Sequence, residues 1–238
     1  MIGRIARGIR GRIWWLFMIP AMINLAQKKA HQKTIFSSLG DKFSSLYKEI
    51  GISKQDSFIT PFWSEMNSRF EKVLLPKPPF SFLQLPEIRS TMYSPYSGSI
   101  SIAALSYLEH KMPRERLETL LQEDYVGEPA LVNSQYLASG TTIFHLYHFI
   151  KFTNQVKCDL GKINAGYGSM ARIFDRIATK PYTYVIIDTP LFSCLQWLYL
   201  STTLGEERVH LLNQPKDELV KGKINLLSLC FLEQVEVS

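Results

Sequence analysis

The segment Asn164-Ala165-Gly166-Tyr167-Gly168-Ser169 has the residue types of a ligand-binding turn. Glycine tolerates left-handed backbone and carries no Cβ, so a ligand can reach the main chain there. A helix that opens just beyond offers its free N–H groups. Met170-Ala171-Arg172-Ile173-Phe174 supplies such a helix. Taken alone, the two glycines are equally an ordinary strand-to-helix turn. Asp188 changes the weighting, because it stands twenty residues beyond Gly168 and ends the apolar run Tyr184-Val185-Ile186-Ile187. A carboxylate at that position can accept both hydroxyls of a ribose, so the pattern points to a nucleoside cofactor. The plain alternative for Asp188 is a helix N-cap ahead of Pro190.

Other chemistry-bearing residues are weaker. His145 and His148 share a helix face, a spacing compatible with a metal, but no third ligand accompanies them. Both are expected as core or pocket histidines, no metal site is expected, and His145 is a candidate base and no more. Cys158, Cys194 and Cys230 are widely spaced and form no CxxC pair, which excludes a zinc site or disulfide framework as the expectation and suits a reducing, cytoplasmic setting. Trp63, Trp197 and most Tyr and Phe are expected in the core.

These residues need elements to hold them. The 238 residues are 46% hydrophobic, enough for a real core and for one or two domains. Residues 30–75 mix helical spacing with Ser and Lys and close on Pro76-Lys77-Pro78-Pro79, where a helix cannot continue. Residues 80–100, with Pro86, Pro95 and Gly98, read as irregular connection. Ile102 to Leu121 is helical apart from a break at Pro113, and the stretch from Thr141 is apolar on nearly every side, as in a helix packed between other elements. Beyond the glycines come a helix from about Ser169 to Ala178, a strand at Tyr182–Asp188, a helix from about Leu191 to Leu204 and a strand at Arg208–Leu212. Helices alternating with strands predict a parallel α/β sheet. The expected division is a mainly helical region at 1–128 followed by an α/β domain at 129–238.

The net charge of +6 is concentrated near the start, at Arg4, Arg7, Arg10, Arg12, Lys28, Lys29 and Lys33. No basic run with interleaved aromatics recurs, so a nucleic-acid-binding body is not expected. Ile2, Ile5, Ala6, Ile9, Ile13 and Leu16 form one helical stripe opposite Arg4, Arg7 and Arg10, the pattern of an interfacial helix, although Gly3, Gly8 and Gly11 weaken it. Three readings of residues 1–26 follow in order: a docking helix, peripheral contact with a membrane surface, and a secretory leader.

Three blocks together carry a resemblance: Gly140-Thr141-Thr142-Ile143-Phe144-His145-Leu146-Tyr147-His148; Ala165-Gly166-Tyr167-Gly168-Ser169-Met170-Ala171-Arg172; and Ile186-Ile187-Asp188-Thr189-Pro190-Leu191 with Tyr199-Leu200-Ser201. From about residue 130 onward the chain resembles the sugar O-methyltransferase family. The resemblance implies a Rossmann-like domain that binds S-adenosylmethionine and transfers its methyl group to the hydroxyl of a sugar or glycan. It implies a donor site at Asn164, Ala165, Gly166, Tyr167, Gly168, Asp188 and Thr189, with Gly166, Tyr167 and Gly168 around the methionine end and Asp188 on the ribose. Lys162 stands where the family has an acid and Asn164 where it has a first glycine, and Cys158 to Ile163 lacks the apolar run of a central strand. The chain also stops at Ser238, short of the about seven strands of such a sheet. The expectation is therefore a partial, truncated sheet with donor-site elements retained and catalysis impaired; the alternative is a non-catalytic fragment acting as an interaction or membrane-surface protein.

Overall fold

A computed structural model describes residues 22–51, 59–93, 99–133, 136–155, 166–179, 181–214 and 217–234. The basic amphipathic stretch at 1–21, Lys162, Asn164, Ala165 and Val235 to Ser238 lie outside the described residues.

The first half is helical. Helix α1 runs through 22–40, α2 spans Phe43–Gly51 and α3 spans Pro61–Leu74. Thr60 caps α3, its hydroxyl accepting from the Trp63 N–H, and Pro61 takes the first helical position, where a missing N–H costs nothing. The helix stops at Leu74, before the proline cluster that cannot continue it. Residues 80–93 are more ordered than their prolines suggest: a 3₁₀ turn at Phe82–Gln84 leads into α4 at Pro86–Thr91, because Pro86 also sits at a helix start. Helices α5 (Ser99–Lys111) and α6 (Arg114–Leu121) meet at the expected break. Trp63 is not a core residue. It is 39% exposed on α3, edge-to-face with the exposed Phe62, because the buried face of that helix is Met66, Phe70 and Leu74.

A small antiparallel pair, β1 (Leu131–Asn133) and β2 (Ala138–Ser139), leads into the long helix α7 (Gly140–Gln155). Then come α8 (Ser169–Ile177), β3 (Tyr184–Asp188), α9 (Pro190–Leu204), β4 (Val209–Leu212) and β5 (Ile224–Ser228). The last three strands form a parallel sheet in the order β3-β5-β4, Ile186 pairing with Leu226 and Leu211 with the same residue from the other side. In a doubly wound sheet, successive strands on one side of the first strand are neighbours. Here β5 separates β3 from β4. Its burial accounts for the order: all five residues of β5 are buried, whereas β4 is half-buried and suits an edge.

A polar residue lies inside β5. Asn225 is fully buried, and its side chain accepts from the Val220 N–H and donates to the carbonyls of Val220 and Lys223, tying the preceding turn to the strand. Helix α9 is buried along almost its whole length and is largely apolar on every side, with Ser193, Gln196, Ser201 and Thr202 as buried polar exceptions. The main core joins both halves of the chain: Phe36, Phe70 and Phe82 pack in one cluster with Tyr184, Ile186, Phe192 and Leu226. A smaller core gathers Leu108, Leu117, Leu121, Ile143, Leu146 and Ile173 between α5, α6, α7 and α8.

Candidate functional site

The turn after residue 165 needs its glycines. Gly166 and Gly168 hold φ of +102° and +97°, where a Cβ crowds the backbone. The two differ in surroundings. Among the described residues, nothing lies within 4 Å of where a Cβ on Gly166 would point, whereas one on Gly168 would meet Leu200 at 3.1 Å. Gly168 thus serves the close packing of the turn on α9, while Gly166 leaves the space a ligand would use. The Tyr167 side chain points inward instead, 4% exposed, with its ring against those of Phe82, Tyr93 and Tyr199. Its role is to anchor the turn in the core.

The turn and the end of β3 meet. Asp188 receives three N–H groups: that of Thr189 at 2.8 Å, the Gln196 side-chain amide at 2.8 Å, and the Gly166 backbone. The same Gln196 amide donates to the Gly166 carbonyl at 2.5 Å. Burial pushes the Asp188 carboxyl up to about 6, against the opposing pull of its three donors. Thr189, rather than Asp188, takes the N-cap position of α9, and its own hydroxyl caps nothing. Beside it, Thr189 Oγ1, Ser193 Oγ and Gln196 Oε1 are buried without a hydrogen-bond partner among the described residues. Buried polar atoms of this kind are uncommon, and these three lie on one side of α9 at steps of four and three.

Gln196 escaped the sequence reading. The available signal was a lone amide within the mostly apolar Leu191 to Leu200, a composition that favours burial with a specific partner.

His145 packs beside the turn, its Nδ1 3.2 Å from Ser169 Oγ, and Ser169 in turn meets the Tyr167 hydroxyl. Burial, reinforced by Arg172 and His148, lowers its pKa to about 4. It is neutral at pH 7 and a poor proton acceptor. His148 is exposed and packs edge-on to Phe144. Among the described residues, no three His, Cys, Asp or Glu side chains gather as a metal site would need.

Helix α8 is fixed from behind by a buried ionic cluster. Arg172 is fully buried and pairs with Asp124 at 2.7 Å and Glu123 at 3.2 Å, while its other terminal nitrogen donates to Thr142 at 2.8 Å. Arg176 and Lys28 also reach Asp124, at 2.5 and 2.8 Å. Burial alone would raise the Asp124 carboxyl; the three cations overcome it and hold the group well below the usual carboxylate range.

On the other side of the start of α9 lies a cavity of about 250 Å³, lined by Tyr47, Ser64, Asn67, Glu71, Pro190 and Cys230 among others. It adjoins the ends of β3 and β5, where parallel sheets bind ligands. Among the described residues, no helix is long and apolar enough to cross a membrane. Comparison of the chain with protein-family models, with curated proteins and with solved structures finds no match.

Proposed function

We propose that the turn at Gly166 and the end of β3 hold the nucleoside of S-adenosylmethionine, in a protein of sugar O-methyltransferase type with a partial Rossmann-like sheet. The observation that carries this reading is the junction itself: the Gly166 backbone and the Asp188 carboxylate share one neighbour, Gln196, beneath a glycine face that no described residue fills. The residues present fit the ribose end of the cofactor. Asp188 retains lone pairs beyond those its three donors use, since an ionised carboxylate offers about four acceptor sites. Tyr167 and Gly168 support the turn rather than line it.

When bound, the cofactor would supply an electrophilic methyl group. The chain's own work is to hold the nucleoside, exclude water and align an acceptor oxygen, which accounts for most of the rate in such a transfer. The cavity at Tyr47, Ser64, Asn67 and Glu71 presents hydroxyl, amide and carboxylate groups, chemistry suited to a hydroxyl-rich acceptor such as a sugar or glycan. His145 is neutral and stays a candidate proton acceptor, although burial lowers its pKa to about 4 and so makes it a weak base.

Calorimetric titration with S-adenosylhomocysteine tests the reading. Binding that falls at least about tenfold in Asp188→Ala supports it, since a lost hydrogen bond to a charged group costs about 1.5–3 kcal/mol. No binding by the native chain, or equal binding by the variant, overturns it. A panel of free sugars with the methyl donor then tests the acceptor class.

A second reading concerns the start of the chain. Met22 and Ile23, where α1 enters the described region, are 45% and 50% exposed and extend the apolar character of the preceding residues. That exposure favours peripheral contact with a membrane surface through residues 1–26.

A further inference from the structure

One buried amide closes a ring at the candidate site. Gln196 lies wholly inside the protein on α9, yet both hydrogens of its side-chain nitrogen are used, one on the Gly166 carbonyl and one on Asp188 Oδ2. The Gly166 N–H returns to the same carboxylate. Both groups facing Gln196 are acceptors, so its nitrogen must point at them, leaving Oε1 without a partner among the described residues. A buried carbonyl oxygen left unbonded costs free energy, which the fold accepts in exchange for placing two hydrogens. The helix gains nothing from this arrangement that leucine would not supply better.

We propose that Gln196 is the positioning residue of this site, a single amide that fixes the spacing and orientation of the Gly166 peptide against the Asp188 carboxylate so that one nucleoside can touch both. This rests on the nucleoside reading above. The ring has a consequence independent of any ligand: Gln196 stabilises the ionised form of Asp188. The groups acting on that carboxylate are its burial and three neutral donors, from Thr189, Gln196 and Gly166. Removing one donor therefore raises the pH at which Asp188 ionises.

The experiment follows the Gly166 amide resonance against pH in the ligand-free protein. In the native chain it should titrate near pH 6 with Asp188. Gln196→Met keeps the length and bulk of the side chain and removes both donors; the midpoint should rise by about one pH unit, the equivalent of one charge-assisted hydrogen bond. In an Asp188→Asn background the titration should vanish, and Gln196→Met should then change nothing with pH. A merely structural glutamine would lower stability and leave the midpoint where it was. An unmoved midpoint in folded Gln196→Met overturns the inference. Gln196→Glu supplies a second variant: its carboxyl and that of Asp188 then share a proton, so the Gly166 amide should titrate in two separated steps, one of them above pH 6, and a single unmoved step in the folded variant counts equally against the proposal. Titration with S-adenosylhomocysteine at pH 8 separates the two readings. If the native chain binds it and Gln196→Met binds at least about tenfold more weakly, both stand; equal binding removes the positioning role. No binding by the native chain overturns the cofactor reading alone, and the amide titration still decides the role of Gln196.

Discussion

At the scale of single residues, the two glycines of the turn make opposite demands. Both lie at positive φ, so alanine costs about 1–2 kcal/mol of backbone strain at either. At Gly168 the new methyl also meets Leu200, and the loss of stability in Gly168→Ala should exceed that in Gly166→Ala by about 1 kcal/mol or more in urea denaturation. At Gly166 the methyl enters open space; there the loss of nucleoside affinity should exceed what the modest loss of stability explains. Asp188 adds a pH dependence of defined sign. Its folded pKa, about 6, is above its unfolded value, so the folded state holds the proton more tightly. Stability should therefore fall as pH rises from about 4 to about 6 and level off beyond. Denaturation midpoints across that window check it, and Asp188→Asn should flatten the slope.

At the scale of elements, α8 is held by charge where α9 is held by apolar contact. Arg172→Met leaves Glu123 buried without a cation while Asp124 keeps Arg176 and Lys28. The expected cost is about 3–5 kcal/mol, read from chemical denaturation. Asp124 gives the acid side of the profile: its depressed pKa contributes stability that is complete above the unfolded value and is lost as pH falls below it. Elements differed in how far the sequence announced them. Helices α8 and α9 and strands β3 and β4 stand within two residues of where apolar spacing and the prolines set them. Strand β5 was hidden. Ile224-Asn225-Leu226-Leu227-Ser228 has one β-branched residue and an asparagine in the middle, and only the return of residues 220–223 onto Asn225 makes that side chain acceptable inside a sheet. The site shows the same division. Gly166, Gly168 and Asp188 were visible because glycine and a strand-end carboxylate carry local signals; the inward turn of Tyr167 and the reach of Gln196 depend on which helix packs behind them, which no local pattern states.

At the scale of the whole molecule, the helical region and the sheet share one core, so disturbance in either should be felt in both. The positive charge is another molecular property, gathered near the start of a chain whose net charge is +6. If the first residues lie at an interface, the protein should bind anionic vesicles, with binding that weakens as salt rises and falls sharply when Arg4, Arg7 and Arg10 are replaced by glutamine. Equal co-sedimentation by the triple variant would remove the membrane-surface reading. The strand order sets a timetable as well as a shape. Of the three parallel strands, β3 and β4 do not pair with each other, and among the described residues each has its partner in β5, some forty residues after β3 begins. A ribosome making this chain releases β3 and then β4 before the strand that joins them. Until residues 224–228 emerge, the edges that will face β5 and the apolar flanks of α9 are exposed to whatever else is in the cell, and a chaperone has most to cover in that interval.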